Sequence, residues 1–221
     1  MNLPAILSCL GKKENRPIFH SEADFQFALC QQIAATHRDA KIRLEKCMQV
    51  DERKYELDIF VVRGNTKYAI ELKYKTKSFE GSINHERYSL KNQNASNLGR
   101  FDYFDDLERV GKFVRADLAS IGYAIFLSNH SVFWNGKGQG AISEQFNIAE
   151  GREVEVRDEM SWVRNPSRGS VGAGRFERTI VSPVTTRFQW KDFSSFGNNE
   201  GRGQVFKFLC TKVGTQNPEV M

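Results

Sequence analysis

The spacing of apolar residues predicts a helix near the start of the chain. Residues 21–37 open with Ser21 and Asp24, which form a capping-box pattern typical of a helix N-terminus. The apolar stripe of this helix recurs at every fourth position, at Phe25, Leu29 and Ile33. We therefore expect a helix over residues 21–37 with one face against a core.

A tight hairpin is predicted after this helix. Residues 55–63 and 66–75 read as strands, and Gly64 and Asn65 between them are typical of a two-residue hairpin turn. Residues 40–50 are the candidate for a preceding strand, because apolar and polar side chains alternate within them.

The next stretch of the chain favours one more helix and one more buried strand. Residues 98–118 have a helical pattern, and residues 122–128 are a continuous apolar run. Residues 132–134 are interpreted as an extension of the sheet. The polar, Asn-rich residues 77–96 are predicted to form a loop.

The last third of the chain is richer in strand patterns and glycine. Strands are predicted over residues 153–157, 175–181, 187–190 and 204–213, with Gly-rich loops at residues 136–140 and 167–174. The element order therefore predicts an α/β core over residues 1–135. A β-rich C-terminal extension over residues 136–221 is expected to pack on this core within the same domain.

The composition is that of a globular protein. The chain has 221 residues, of which 40% are hydrophobic and 27% charged, so it can bury a sizeable core. A net charge of +5 and a pI near 9.0 fit a polyanionic partner without requiring one. Four cysteines without metal-binding spacing indicate free thiols in a reducing compartment. Without a signal-peptide pattern or a membrane-spanning stretch, a soluble cytoplasmic protein is expected.

The predicted hairpin register brings two acidic residues together. If the two-residue turn closes the hairpin, Arg63 faces Thr66, and Asp58 faces Glu71 with Cβ atoms about 5 Å apart. Like charges at this distance destabilise a sheet unless a cation lies between them. Two carboxylates so placed suit a hard divalent ion such as Mg²⁺.

Lys73 and Glu22 extend this pair. Glu71 and Lys73 are two positions apart on one strand, so their side chains share a face, and Lys73 is placed to hold or deprotonate an attacking water. Glu22 lies on the core-facing side of the first predicted helix, where an unpaired charge is costly to bury. Its position in the first helical turn offers a simpler explanation, because the helix dipole favours acids there.

This order of residues is similar to that of a known family. The pattern resembles the PD-(D/E)XK nuclease superfamily, whose fold is called restriction-endonuclease-like: Glu22 on a first helix, Asp58 on a strand, and Glu71-Leu72-Lys73 on the next strand. The resemblance covers roughly residues 18–130 and implies an αβββαβ core with a mixed sheet. In this chain Leu57 precedes Asp58, where the family often has proline.

The resemblance implies a metal-dependent nuclease that hydrolyses phosphodiester bonds of DNA. Asp58 and Glu71 would bind Mg²⁺ or Mn²⁺ together with the backbone carbonyl of Leu72, and Glu22 would bind the ion directly or through water. Lys73 would orient the nucleophilic water and offset the charge on the phosphate. Cutting both strands of a duplex usually needs two active sites, so a homodimer is compatible with this function.

Basic and glycine-rich residues give weaker signals. Lys75, Lys77 and Arg100 could line a path for the DNA backbone, although a solvated loop is an equally good explanation. Residues 136–140 resemble a dinucleotide-binding fingerprint only in part, because the full G-x-G-x-x-G spacing is missing. A charged face on the second helix is more typical of solvated surface or internal ion pairs than of catalysis; its residues are Asp102, Asp105, Asp106, Glu108 and Arg109.

Two other classes of function are open at this point. The first is a catalytically silent nuclease-fold module that binds nucleic acid or a protein partner, against which the intact motif of Glu71 and Lys73 argues. The second is a structural or assembly protein, for which the C-terminal third leaves room without direct support.

Overall fold

The computed structural model describes residues 1–12, 14–93, 95–136, 141–163, 173–196 and 204–214. Its three longer helices are α1 (Leu3–Leu10), α2 (Glu22–Thr36) and α3 (Ser96–Arg115), and a short helix α4 spans Ala173–Phe176. A single 3-10 turn spans Glu144–Phe146. The strands are β1 (Lys41–Val50), β2 (Arg53–Arg63), β3 (Thr66–Lys75), β4 (Phe79–Ile83), β5 (Glu86–Leu90), β6 (Ile121–Ser128), β7 (Glu153–Val154), β8 (Glu159–Met160), β9 (Ile180–Val181), β10 (Thr186–Arg187), β11 (Trp190–Ser195) and β12 (Val205–Gly214).

Six of these strands form one mixed sheet in the order β1-β2-β3-β6-β12-β11. β3 and β6 run parallel, and the other neighbouring strands run antiparallel. The pairs β4–β5, β7–β10 and β8–β9 form separate two-stranded sheets. The prediction of an α/β fold with a mixed sheet is confirmed at this level.

The core has two layers, one on each face of the sheet, and successive side chains of β3 point alternately into them. Tyr68, Ile70, Leu72 and Tyr74 pack against α1 and α2 on one face of the sheet. Ala69 points to the opposite face, where α3 supplies more of the buried apolar side chains than any other single element. Because successive side chains of a strand alternate between faces, Glu71 and Lys73 lie on the α3 side.

The predicted first helix is confirmed as α2. The Ser21 hydroxyl accepts a hydrogen bond from the Asp24 N–H at 3.1 Å, which satisfies one of the free donors at the helix start. The Asp24 carboxylate accepts from the His20 N–H at 3.0 Å and binds the Arg16 guanidinium. These contacts fix the N-terminus of α2 against the segment that precedes it.

The second predicted helix and the apolar strand after it are also confirmed, as α3 and β6. Their packing is close, since a Cβ atom at Gly122 would lie 2.8 Å from the Val110 side chain. Glycine at this position therefore allows α3 to lie directly on the sheet.

The prediction of a loop over residues 77–96 was wrong, because β4 and β5 form a hairpin there. Asn84 and His85 make its turn with φ values of 50° and 68°, a conformation that Asn adopts at low cost. Tyr88 and Leu90 are buried in the α2 layer of the core. The polar composition concealed this hairpin, since only alternate positions of its second strand are apolar.

Other expectations are corrected after β6. Residues 132–134 form a turn and do not extend the sheet, although Phe133 is buried there. Residues 175–181 contain the end of α4 as well as β9, and only Glu153–Val154 of the predicted strand 153–157 is paired. Residues 137–140 and 167–172 of the two Gly-rich loops lie outside the described residues.

The C-terminal strands are part of the main sheet. β12, which matches the prediction for residues 204–213, pairs with β6, and β11 pairs with β12 at the sheet edge. None of the helices in the described ranges is long and apolar enough to cross a membrane. All four cysteines are free, and burial raises the pKa of the Cys30 thiol to about 12, so it packs as a neutral side chain.

Candidate functional site

Asp58 lies where β2 and β3 separate. The hairpin pairs Arg63 with Thr66 as predicted. Its ladder ends at the pair of Ile59 and Ile70, so Asp58, the neighbour of Ile59 on β2, is not part of the β2–β3 ladder. At this point the Asp58 carboxylate accepts a hydrogen bond from the Leu72 N–H at 2.6 Å. The Asp58 side chain therefore accepts the hydrogen bond of a β3 N–H at a position where the main-chain ladder with β2 has already ended.

Glu71 is a buried acid with a cationic partner. Its side chain is 1% exposed, and Oε1 accepts a hydrogen bond from Arg109 Nη1 at 3.2 Å. Burial and the nearby carboxylate of Asp106 raise the pKa of Glu71 well above its usual range, although Arg109 opposes this shift. A further cation close to Glu71, in addition to Arg109 and Lys73, would therefore favour its ionised form.

Lys73 lies beside Glu71 on the same face of β3. Its Nζ donates to the Leu72 carbonyl at 3.1 Å and forms an ion pair with Asp106 at 2.8 Å. Burial alone would lower the pKa of Lys73, but Asp106, with smaller contributions from Glu22 and Asp58, raises it above its usual value. Lys73 is therefore a permanent ammonium at neutral pH, suited to hold a water or a phosphate rather than to remove a proton.

Glu22 reaches the same strand from α2. Its Oε2 accepts a hydrogen bond from the Tyr74 N–H at 2.7 Å. This contact means that Glu22 does more than complement the helix dipole, since it satisfies a main-chain donor at the end of β3. The structure thus brings Glu22 close to Lys73, whose pKa it helps to raise.

Two residues of α3, Asp106 and Arg109, complete the cluster; the sequence pattern placed both on a charged helical face and did not assign them to the site. Arg109 contacts Asp105 at 3.2 Å and Asp106 at 3.3 Å, in addition to Glu71. Burial raises the pKa of Asp106, which is 2% exposed, to about 7. One sequence signal could have found Asp106: it lies three residues after Tyr103, on the apolar stripe of its own helix.

The remaining acids of α3 form ion pairs with arginines of the C-terminal extension. Asp102 pairs with Arg175 at 2.9 Å, and Glu108 pairs with Arg178 at 2.7 Å. Arg178 also binds Asp105. The structure therefore supports internal ion pairs, rather than solvated surface, for this charged face.

The three basic residues assigned to a DNA path occupy different environments. Lys75 lines a cavity beside Glu22, and Lys77 is partly exposed, with its N–H bonded to Asn129 Oδ1 at 2.7 Å. Arg100 is only 1% exposed, donates to the Val132 carbonyl and lies 5.8 Å from the Phe133 ring centroid. Arg100 is therefore inside the protein and does not line an exposed path.

The chemistry of the cluster suits a hard cation, because its ligands are oxygen atoms. Three carboxylates, from Asp58, Glu71 and Asp106, lie near two cationic groups, Lys73 and Arg109. The cluster therefore has excess negative charge when all three acids are ionised, which a divalent ion would neutralise.

The potential metal ligands of this cluster are already engaged by other side chains. Among the described residues, no group of three or more acidic, histidine or cysteine side chains is arranged to hold a metal ion. Glu71 is engaged by Arg109, and the Leu72 carbonyl is engaged by Lys73. Metal binding through Oε1 of Glu71 therefore requires Arg109 to move away from this oxygen.

No protein-family model matches the chain, and neither curated proteins nor solved structures give a significant match. Membership of the nuclease superfamily accordingly stays a prediction. The geometry of the charged cluster is then the main source of information about function.

Proposed function

We propose that this chain is a metal-dependent nuclease that hydrolyses phosphodiester bonds of DNA, with a restriction-endonuclease-like core. The observation that carries the proposal is the meeting of Asp58, Glu71 and Lys73 where β2 and β3 separate. Buried acids with raised pKa values beside specific charged partners are frequent at functional sites. A purely structural cluster gains little stability from burying so many charges.

Each residue has a distinct role in this proposal. Asp58 and Glu71, together with the Leu72 carbonyl, would hold Mg²⁺ or Mn²⁺, and Glu22 would contact the ion directly or through water. When bound, such an ion supplies an activated water and offsets charge on the phosphate. Lys73, kept protonated and oriented by Asp106, would position the water and stabilise the charge that develops on phosphate oxygens.

Arg109 has other partners when it leaves Glu71. Asp105 and Asp106 both lie within ion-pair distance of its guanidinium. The guanidinium would therefore keep two of its three ion-pair partners when Glu71 binds a divalent ion.

One observation favours a second function, a catalytically silent module that binds nucleic acid or a protein. Arg109 and Lys73 already provide cationic partners for Glu71 and Asp106 without any metal. A chain that had lost cleavage could keep its fold through these ion pairs. Metal binding and cleavage separate the two functions.

Cleavage assays on supercoiled plasmid, linear duplex and single-stranded DNA test the nuclease proposal, each with Mg²⁺, Mn²⁺ or EDTA. The variants are Asp58→Asn, Glu71→Gln and Lys73→Met, which keep side-chain size. Glu56→Gln is the matched control, since Glu56 is an exposed acid two positions before Asp58 on β2. We expect metal-dependent cleavage that the control keeps and the three variants lose.

Two results contradict the proposal. Full cleavage by Glu71→Gln or Asp58→Asn would remove the metal-binding role of these residues. An absence of cleavage by the unchanged protein on all three substrates, together with no heat from Mn²⁺ in calorimetry, would favour the silent module.

A further inference from the structure

A cavity of about 410 Å³ lies next to the charged cluster. Its walls come from the N-terminus of α2, the end of β3 and the second strand of the β4–β5 hairpin. Glu22, Lys75, Ser89, Leu90 and Lys91 are among the residues that line it. One of these residues, Glu22, belongs to the set proposed for catalysis.

Two lysines make this cavity attractive to anions. Lys75 and Lys91 line it from different elements, and neither has an ion-pair partner within the described part of the chain. Nearby, the Arg16 guanidinium is neutralised by Asp24, and His20 Nε2 contacts Glu86 Oε1. Lysines from two elements that line one cavity are suited to successive phosphates of one strand.

Hydrogen bonds of Thr76 connect the main chain at the end of β3 with the segment after β5. Its hydroxyl donates to the Lys91 carbonyl at 2.7 Å, and its N–H donates to Gln93 Oε1 at 2.9 Å. The Gln93 N–H in turn donates a hydrogen bond to the Thr76 carbonyl at 2.8 Å. The main chain that carries Lys75 is therefore tied to the main chain that carries Lys91.

The hairpin is also attached to α2 across the cavity. The His20 and Tyr88 rings stack with centroids 4.5 Å apart, and His20 Nε2 lies 2.9 Å from Glu86 Oε1. Tyr74 and Leu90 add apolar wall surface within the cavity. This combination of cations and apolar surface is suited to a phosphate backbone with an unstacked base.

The size of the cavity selects among nucleic acids. A volume of about 410 Å³ is at the lower end of pockets for small ligands, and a base-paired duplex is far wider than such a space. We propose that this cavity binds single-stranded DNA, with phosphates on Lys75 and Lys91 and the strand directed toward Glu22. This inference rests on the proposed nuclease function, for which it names the preferred substrate.

Binding can be measured without cleavage, in EDTA, by the fluorescence anisotropy of a labelled single-stranded oligonucleotide about twenty nucleotides long. The test variant is the double substitution Lys75→Ala/Lys91→Ala. The matched control is Lys41→Ala/Lys67→Ala, since both residues are exposed and face Val62 at the opposite end of the sheet. An unlabelled duplex of the same sequence serves as competitor.

We expect the test variant to lose two phosphate contacts. The slope of log K against log salt should become about 1.4 less negative, which corresponds to a roughly 25-fold weaker affinity at about 0.1 M salt. The control should bind as the unchanged protein does, and the duplex should compete poorly. An unchanged slope in the test variant, an equal loss in the control or equal competition by duplex would each overturn the inference, as would an absence of single-strand binding.

These outcomes are separate from those of the nuclease proposal. Strand binding that depends on Lys75 and Lys91 without any metal-dependent cleavage would keep the cavity assignment and remove the nuclease. Cleavage that is independent of both lysines would keep the nuclease and remove the cavity assignment.

Discussion

Substitution of Arg109 by methionine tests whether Arg109 occupies the place of a divalent ion. Methionine keeps much of the apolar stem and removes only the charged group. Glu71 then loses its guanidinium partner while it is 1% exposed. Breaking a buried ion pair costs about 3–5 kcal/mol, and the 21% exposure of the Arg109 side chain places the expected loss at the lower end.

A loss of about 3 kcal/mol corresponds to a fall in Tm of roughly 6–12 °C for a chain of this size. The loss depends on pH, because the pKa of Glu71 is raised in the folded protein by burial and by Asp106. An acid with a raised folded pKa contributes most stability below its ordinary pKa and loses it as pH rises. The variant should therefore be less destabilised near pH 5 than near pH 8.

Thermal unfolding with and without Mn²⁺ is the assay. Because Arg109 no longer competes for Glu71, Mn²⁺ should raise the Tm of Arg109→Met more than that of the unchanged protein. Lys112→Met is the matched control on the same helix, since its partner Glu108 keeps Arg178. This control should lose no more than about 1 kcal/mol.

Two results would refute the reasoning about Arg109. If Arg109→Met were as stable as Lys112→Met at every pH, the contact with Glu71 would contribute nothing. If Mn²⁺ left the Tm of Arg109→Met unchanged, the site would not exchange a guanidinium for a metal ion.

Two further predictions concern buried charges. Because burial raises the pKa of Asp106 to about 7, its contribution to stability falls as pH rises toward and through neutrality. Asp106→Asn should therefore flatten the decline in Tm between about pH 5 and pH 8. An unchanged dependence of Tm on pH in this variant would show that Asp106 does not cause the decline. Arg100 Nε and Nη1 are buried without a hydrogen-bond partner among the described residues. Arg100→Met should therefore keep or raise the Tm in thermal unfolding, whereas a fall of more than about 6 °C would show that the charge is stabilising.

Sequence patterns predicted the part of the site that lies on neighbouring strands. The turn at Gly64 and Asn65 sets the register of β2 and β3, and the two-residue period then places Glu71 and Lys73 on one face. Both rules are local, so they needed no knowledge of the rest of the fold. The same register stops at Ile59 and Ile70, because Asp58 uses its side chain to bond the next strand.

Contacts between distant segments were beyond such local rules. Asp106 and Arg109 belong to the site only because α3 lies over β3, a packing that helical periodicity does not specify. The interior position of Arg100 was missed for a related reason, since its environment includes the turn at Phe133. The β4–β5 hairpin was missed because few of its positions are apolar and its turn lacks glycine.

The place of β12 in the sheet has a consequence for how the chain folds. β6 pairs with β3 on one side, but its other edge is covered only by β12, which pairs Ile121 with Gly214 and Ser128 with Lys207. During synthesis an apolar strand edge therefore stays open until residue 214 has emerged. Such long-range pairings slow folding and expose edges that aggregate. Premature termination before β12 should accordingly yield a product that depends on chaperones for its solubility.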